Sequence, residues 1–163
     1  MHVSARSPEN PICRRIDAQD AALPDVLELI RSSFSYMDGR IDPPSSMHRL
    51  TIETLTESAA RTEIWVIGDP PVATMQLTPR KDVLYLGKIA VSPAMRGRGL
   101  ARHLVSVARE RAQALGLPAL ELQSRVELVE NHATFRALGF IETGRTAHAG
   151  FDRPTSITFR SPA

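Results

Sequence analysis

A mixed α/β fold, one sheet with helices on both faces, is what the sequence predicts, and three observations lead to it. Apolar residues follow helical spacing up to about residue 60. Strand-like runs then succeed one another from 63 to 91. After that, helices and strands alternate. A meander followed by alternation argues for a mixed sheet covered on both sides. With 163 residues, 42% of them hydrophobic, the chain suits one domain over 1–163 with a real core.

The first eleven residues, "MHVSARSPENP", are polar and are expected to be loose. "ICRRI", Ile12 to Ile16, reads as a first strand. Asp17 and Asp20 stand where they can cap a helix in "AALPDVLELIRSSF", whose Leu23, Val26, Leu27, Ile30 and Phe34 share one face. "MDGRIDPPSS" breaks that pattern with Gly39 and Pro43-Pro44, and a second helix is predicted over Ser46 to Ala60. "EIWVIG" and "VATMQL" form two strands joined across Gly68-Asp69-Pro70-Pro71.

"VLYLGKIAV", Val83 to Val91, is the third apolar run. Leu84 and Leu86 share one phase, Ile89 and Val91 the other, with Gly87-Lys88 between. Either a bulge resets the phase there or the odd positions form one continuous face. Leu100, Leu104, Ala108, Ala112 and Leu115 then mark an amphipathic helix, widened by Ala101 and Val105 and ended by Gly116 and Pro118. Arg102, Arg109, Glu110 and Arg111 fall mostly on its other side. "ALELQSR" reads as a strand and "ENHATFRAL" as a short helix stopped by Gly139. "FIETGRTAH" and "TSITFR" read as the last two strands.

Charge narrows the partners. Twenty basic and 18 acidic side chains leave a net charge of +2. General attraction to nucleic acid or an anionic membrane does not follow, so any anion site must be local. The single cysteine, Cys13, makes no internal disulfide and no metal cluster, and reads as a small buried hydrophobe. No apolar run approaches the roughly 20 residues that span a bilayer. The N-terminal stretch lacks the apolar segment of a secretion signal, so a soluble cytoplasmic protein is expected.

The stretch "MRGRGLAR", residues 95–102, follows the third strand and opens the amphipathic helix. Backbone N–H groups at a helix start have no internal partner and favour an anion. Gly97 and Gly99 let a phosphate approach the backbone closely, and Arg96 and Arg98 can add charged contacts. Leu100-Ala101-Arg102 replace the Gly-Lys-Ser/Thr of a P-loop, and Arg102 stands where a dinucleotide fingerprint needs its third small residue. The chemistry suits phosphate or pyrophosphate; a plain turn is the alternative.

Arg96-x-x-Gly99-x-Ala101 resembles the Arg/Gln-x-x-Gly-x-Gly/Ala signature of the GNAT acyltransferase superfamily. "YLGKIAVSPAMRGRGLARHLV" looks like that family's strand, pyrophosphate loop and helix. "ENHATFRALGF" is similar to its later motif, with the ending Leu138-Gly139-Phe140. The element order matches from about Ile12 to Phe159.

The resemblance implies a mostly antiparallel sheet with one splayed parallel strand pair and acetyl-CoA held in the splay. It implies that Ile89, Ala90 and Val91 pair with the pantetheine amides and that Arg96, Gly97, Arg98, Gly99, Leu100 and Ala101 form the pyrophosphate loop. Asn131 either bonds the pantetheine arm or caps its helix, and Phe135 lies near the thioester end. The implied reaction is direct attack of a neutral primary amine, on a small molecule or peptide, at the thioester carbonyl. The N–H of Ile89 or Ala90 faces the oxyanion. A homodimer is also implied.

The family's usual acid, a tyrosine, falls at Phe135, and its frequent glutamate base falls near Gly87 and Lys88. Tyr85 and Tyr36 are the candidate substitutes. The alternative is a GNAT-fold module that binds or senses acyl-CoA with little turnover. Asp38, Asp42, Glu53 and Glu57 are the acids near the expected acceptor region, and His132 and His148 the nearest histidines. Met37 and Met47 read as pocket wall or core, and Lys88 either meets an acidic acceptor or faces solvent.

Overall fold

Strands and helices follow one another in the order that the periodicity predicts. A computed structural model describes residues 12–163; the eleven residues expected to be loose lie outside the described residues. The elements are β1 (Cys13–Ile16), α1 (Leu23–Phe34), α2 (Ile52–Arg61), β2 (Glu63–Ile67), β3 (Ala73–Pro79), β4 (Val83–Val91), α3 (Leu100–Ala114), β5 (Ala119–Arg125), α4 (Val129–Ala137), β6 (Ile141–Thr146) and β7 (Ser156–Pro162). They build a seven-stranded sheet in the order β1-β2-β3-β4-β5-β7-β6. All its neighbours are antiparallel except β4 and β5.

Two cores cover the two faces. Leu100, Leu104, Ala108 and Ala112 of α3 pack with Met75, Leu77, Leu84, Leu86, Leu120 and Phe159 of the strands, and Phe135 of α4 joins the edge of this cluster. On the opposite face Val26, Leu27 and Ile30 of α1 and Leu55 and Ala59 of α2 pack on Ile64, Val66 and Ala90. Each fully buried Leu or Ile contributes about 1.5–3 kcal/mol, so these stripes hold the helices in place far more strongly than helix propensity does.

Three local expectations are corrected. The helix predicted from Ser46 divides into a 3₁₀ turn at Ser46–Arg49 and α2 from Ile52, with Leu50 extended between them. The cause is Thr51: its side chain accepts from the Thr54 N–H while Thr54 Oγ1 accepts from the Thr51 N–H, a capping box that fixes a new start. The N-cap of α1 is Ala22, without a side-chain cap, and Asp20 accepts from the Ala22 N–H just upstream. Leu115, assigned to the buried stripe of α3, is 41% exposed because the helix ends before it.

Arg109 and Arg111, placed on the outer side of α3, are tied down instead. Arg111 makes a bidentate pair with Glu63 at 2.8 and 2.7 Å, and Glu63 is only 5% exposed. Arg109 donates to the Leu138 carbonyl at 2.7 Å, to Ser161 Oγ at 2.9 Å and to the Pro162 carbonyl. It thereby joins α3 to the end of α4 and to β7.

Candidate active site

The parallel pair is short. β4 and β5 pair at Val83 with Ala119, Leu84 with Leu120 and Tyr85 with Glu121, and their pairing ends there. β4 stays bonded to β3 as far as Val91, and β5 to β7 as far as Arg125. Leu86–Val91 and Leu122–Arg125 therefore diverge, and each leaves one row of backbone groups without a strand partner, though the Val91 carbonyl accepts from Ser33 Oγ at 3.2 Å.

A bulge turns β4 at this point. Thr74 pairs with Ala90 but Gln76 with Gly87, so Met75 stands opposite both Lys88 and Ile89. Lys88 takes the left-handed conformation, φ +49°. Ile89 and Val91 thus rejoin the face of Leu84 and Leu86, and Ala90 turns to the other core. Of the two readings left open by the sequence, the structure has the bulge, which bends the strand.

A cleft of about 870 Å³ fills the divergence. It is lined by β4 from Tyr85 to Val91, β5 from Leu122 to Arg125, the inner side of α4, the start of α3 and parts of the segment 33–47. Of the expected site residues, Tyr36, Tyr85, Ile89, Ala90, Val91, Arg96, Gly97, Gly99, Leu100, Ala101, Asn131 and Phe135 all line it. Arg98 is exposed and does not; Arg102 does.

At the cleft's end two left-handed glycines lead into α3. Gly97 (φ +79°) and Gly99 (φ +78°) are both left-handed, and a Cβ on either would meet nothing within 4 Å. Glycine is needed there for its backbone conformation, not because neighbours crowd it. The first bond of α3 runs from the His103 N–H to the Gly99 carbonyl at 3.0 Å. The N–H groups of Leu100, Ala101 and Arg102 therefore have no acceptor within the helix.

Tyr36 bridges three elements. Its hydroxyl accepts from Asn131 Nδ2 at 3.1 Å, and the Arg96 and Arg40 guanidinium carbons lie 5.0 and 5.6 Å from its ring centre. Asn131 lies inside α4 and does not cap it; the N-cap is Leu128. Tyr85 stacks under Arg80 at 3.8 Å. Burial pushes its hydroxyl above the ordinary tyrosine value, partly offset by Arg80 and by the Gln123 backbone amide, so it keeps its proton at neutral pH. Phe135 packs against Phe140 and Phe159 at 6.1 Å each and has no proton to give.

Lys88 donates to Gln76 Oε1 at 2.6 Å, and burial pushes its ammonium below the ordinary value. His148 lines the cleft and bonds Thr155, whereas His132 is buried and donates to the Arg125 carbonyl at 2.8 Å, a structural tie. Met37 and Met47 are cleft wall, as expected.

Sequence reasoning missed Ser124. Its Oγ is buried on β5 beside the cleft and has no hydrogen-bond partner among the described residues. It also missed Arg125, which donates to the Pro43 and Pro44 carbonyls at 2.8 and 3.3 Å and fixes the segment before α2. Neither carries a local sequence signal, since both depend on partners distant in the chain. Among the described residues, no helix is long and apolar enough to cross a membrane.

Comparison with known proteins agrees with this geometry. The family model described as the Acetyltransferase (GNAT) family matches residues 23–140. A protein named IAA acetyltransferase from Azospirillum brasilense is 29% identical over 95% of this chain and 99% of its own. The ribosomal-protein-S18-alanine N-acetyltransferase of Escherichia coli superposes with a TM-score of 0.67 at 20% identity, over 93% of this chain and 94% of that one. A chain of the NatC complex bound to Gag peptide and CoA gives 0.63 at 20% identity, over 93% and 98%. The splayed strand pair, the left-handed glycine loop and the family match over most of the chain lead to one conclusion: the chain belongs to the GNAT family of N-acetyltransferases.

Proposed function

We propose that this protein moves an acetyl group from acetyl-CoA to a primary amine, with both substrates bound together in the cleft. The observation that carries this reading is the continuity of one cleft from the unpaired backbone of β4 to the free N–H groups at the start of α3. That order of donors suits a ligand with amides at one end and a pyrophosphate at the other.

The residues fit the cofactor. Gly97 to Ala101 would hold the pyrophosphate through backbone N–H groups, with Arg96 and Arg102 adding charge. Ile89, Ala90 and Val91 would meet the pantetheine amides, and the buried, unpartnered Ser124 Oγ is a further donor on the opposite strand. Bound there, acetyl-CoA supplies an activated acetyl thioester.

The chain's own part is to orient and to manage protons. The N–H of Ile89 or Ala90 would stabilise negative charge at the acyl oxygen. Tyr85 is a protonated donor in the cleft, while Phe135 cannot serve. Tyr36 ties Asn131 and Arg96 across the cleft and thereby shapes the acceptor side.

Because Phe135 lacks a hydroxyl, an acyl-CoA binding module is the second reading, and one assay decides. Purified protein is mixed with acetyl-CoA and a panel of primary amines, and free thiol is followed. Thiol release above background hydrolysis supports the transferase. Thermal stabilisation by CoA without turnover supports the binding module. The absence of both effects would overturn the cofactor assignment. Gly99→Glu places a carboxylate at the anion site and should abolish stabilisation by CoA; unchanged affinity would refute the loop's role.

A further inference from the structure

The charge lining the cleft is mainly positive. Its ionisable lining residues include Arg40, Lys88, Arg96, Arg102 and Arg125, and Glu130 is the one carboxylate among the described lining residues. Glu130 is already paired with Arg40 at 2.7 Å. Arg96 and Arg102 flank the anion site at the start of α3. Arg125 is bonded to backbone carbonyls and lies close enough to Glu127 and Asp42 to feel their charge.

Lys88 differs from the rest. Its sole hydrogen-bond partner among the described residues is the neutral Gln76, whose Nε2 donates in turn to Thr62 Oγ1 at 2.8 Å. That second bond fixes the amide so that its oxygen faces Lys88. No carboxylate among the described residues acts on Lys88, and burial is what disfavours its charge. The bulge holds this residue in place beside Ile89 and Ala90.

The acids expected to face an acceptor are elsewhere. Asp38 pairs with His48 at 2.6 Å, and Asp42 is 3.5 Å from Arg153; neither lines this cleft. Glu53 and Glu57 are exposed on α2. A cationic acceptor would therefore meet like charge and no counter-ion. On the side of segment 33–47 the wall includes the apolar Phe34, Met37, Ile41 and Met47, interspersed with the neutral Ser33, Tyr36, Ser45 and Ser46.

We propose that the acceptor is a primary amine that also carries a carboxylate, of which an apolar free amino acid is the simplest case, and that Lys88 holds that carboxylate. The proposal rests on the transferase reading above. A carboxylate supplies the counter-charge that the protein withholds from Lys88. The amine nitrogen forms a bond to the acetyl carbon as the carbon–sulfur bond breaks. The proton lost by the amine balances the thiol released, and the carboxylate is unchanged. Lys88 is thus a specificity-determining residue.

The test pairs amino acids with their decarboxylated counterparts: L-leucine with 3-methylbutylamine, and L-phenylalanine with 2-phenylethylamine. Two readouts are used, thiol release from acetyl-CoA and further thermal stabilisation of the CoA-saturated protein. The amino acid of each pair should exceed its amine by about tenfold or more in kcat/KM and should alone add stabilisation. Lys88→Met should raise KM for the amino acid by about tenfold with kcat little changed, and leave stabilisation by CoA itself intact. Lys88→Glu should reverse the preference within each pair.

Equal or better use of the amines overturns the proposal, as does a preference that survives Lys88→Met. If CoA stabilises the protein but no amino acid adds to it or is acetylated, the carboxylate assignment alone falls. If CoA does not stabilise the wild-type protein and acetyl-CoA is not consumed with any amine, the transferase reading falls and takes this proposal with it.

Discussion

Replacing Gly139 by alanine tests why the Leu138-Gly139-Phe140 ending needs its glycine. Gly139 has φ +100°, and a Cβ there would lie 3.2 Å from Arg109 Nη2 and 3.5 Å from Ser161 Oγ. A side chain in this region costs about 1–2 kcal/mol for the backbone alone. The Cβ also presses on the guanidinium that donates to Leu138 and Ser161, and losing one such charged bond costs about 1.5–3 kcal/mol. Together these give roughly 3–5 kcal/mol, a fall in Tm on the order of 10 °C for a chain of this size. Gly99→Ala is the control. It has similar φ strain but nothing within 4 Å, so its Tm should fall by only about 2–8 °C. Differential scanning calorimetry of both variants measures the contrast. In an Arg109→Met background, the excess cost of Gly139→Ala should vanish. Equal Tm losses for the two glycines, or an excess that persists without Arg109, would refute the reasoning.

Two further outcomes follow from perturbed ionisations. Burial would raise the Glu63 carboxyl, but hydrogen bonds from Arg111 and from Trp65 Nε1 bring it below its ordinary value of 4.5. With the folded value depressed, the stabilisation is present above 4.5 and is lost as pH falls through the folded value. Wild-type Tm should therefore drop more steeply than that of Glu63→Gln between about pH 5 and pH 3, and parallel curves would exclude the effect. The Cys13 thiol is pushed up to about 11 by burial. At pH 8 its thiolate fraction is then about 1 in 1000 against about 1 in 10 at the ordinary value, so iodoacetamide should label the folded protein about 100-fold more slowly than the unfolded one. Equal labelling rates would contradict that burial.

Much of the architecture is legible locally because period and punctuation are local. Leu100, Leu104 and Ala108 identify α3 by spacing, and Gly97 and Gly99 mark a left-handed entry that few other residues tolerate. The phase break at Gly87-Lys88 is visible too, but two readings fit it; pairing with Met75 of β3 decides between them. The capping box at Thr51 escaped notice because its fourth residue is threonine rather than the usual glutamate or glutamine. Tyr36 with Asn131, Glu63 with Arg111 and Arg125 with Pro43 join residues 48 to 95 positions apart. No spacing rule reaches across such distances. The same limit applies to the sign of the cleft: Asp42 and Glu57 look available in the sequence, and only the fold shows them turned to other partners or to solvent.

The early end of the β4–β5 ladder has a consequence for the protein on its own. A sheet ordinarily exposes unpaired backbone at its outer margins, where a stray strand from another molecule can attach. Here a second pair of margins opens in the middle of the sheet, behind side chains of α4, α3 and the segment before α2. Two leaves, β1–β4 and β5–β7, meet along a spine of three residue pairs, with α3 packed on strands of both. Amides of β4 beyond Tyr85 that face the gap should exchange with solvent faster than those facing β3, even though they lie deep in the fold. A ligand laid along the gap would slow them and stiffen the spine, so occupancy would be felt by the two leaves together.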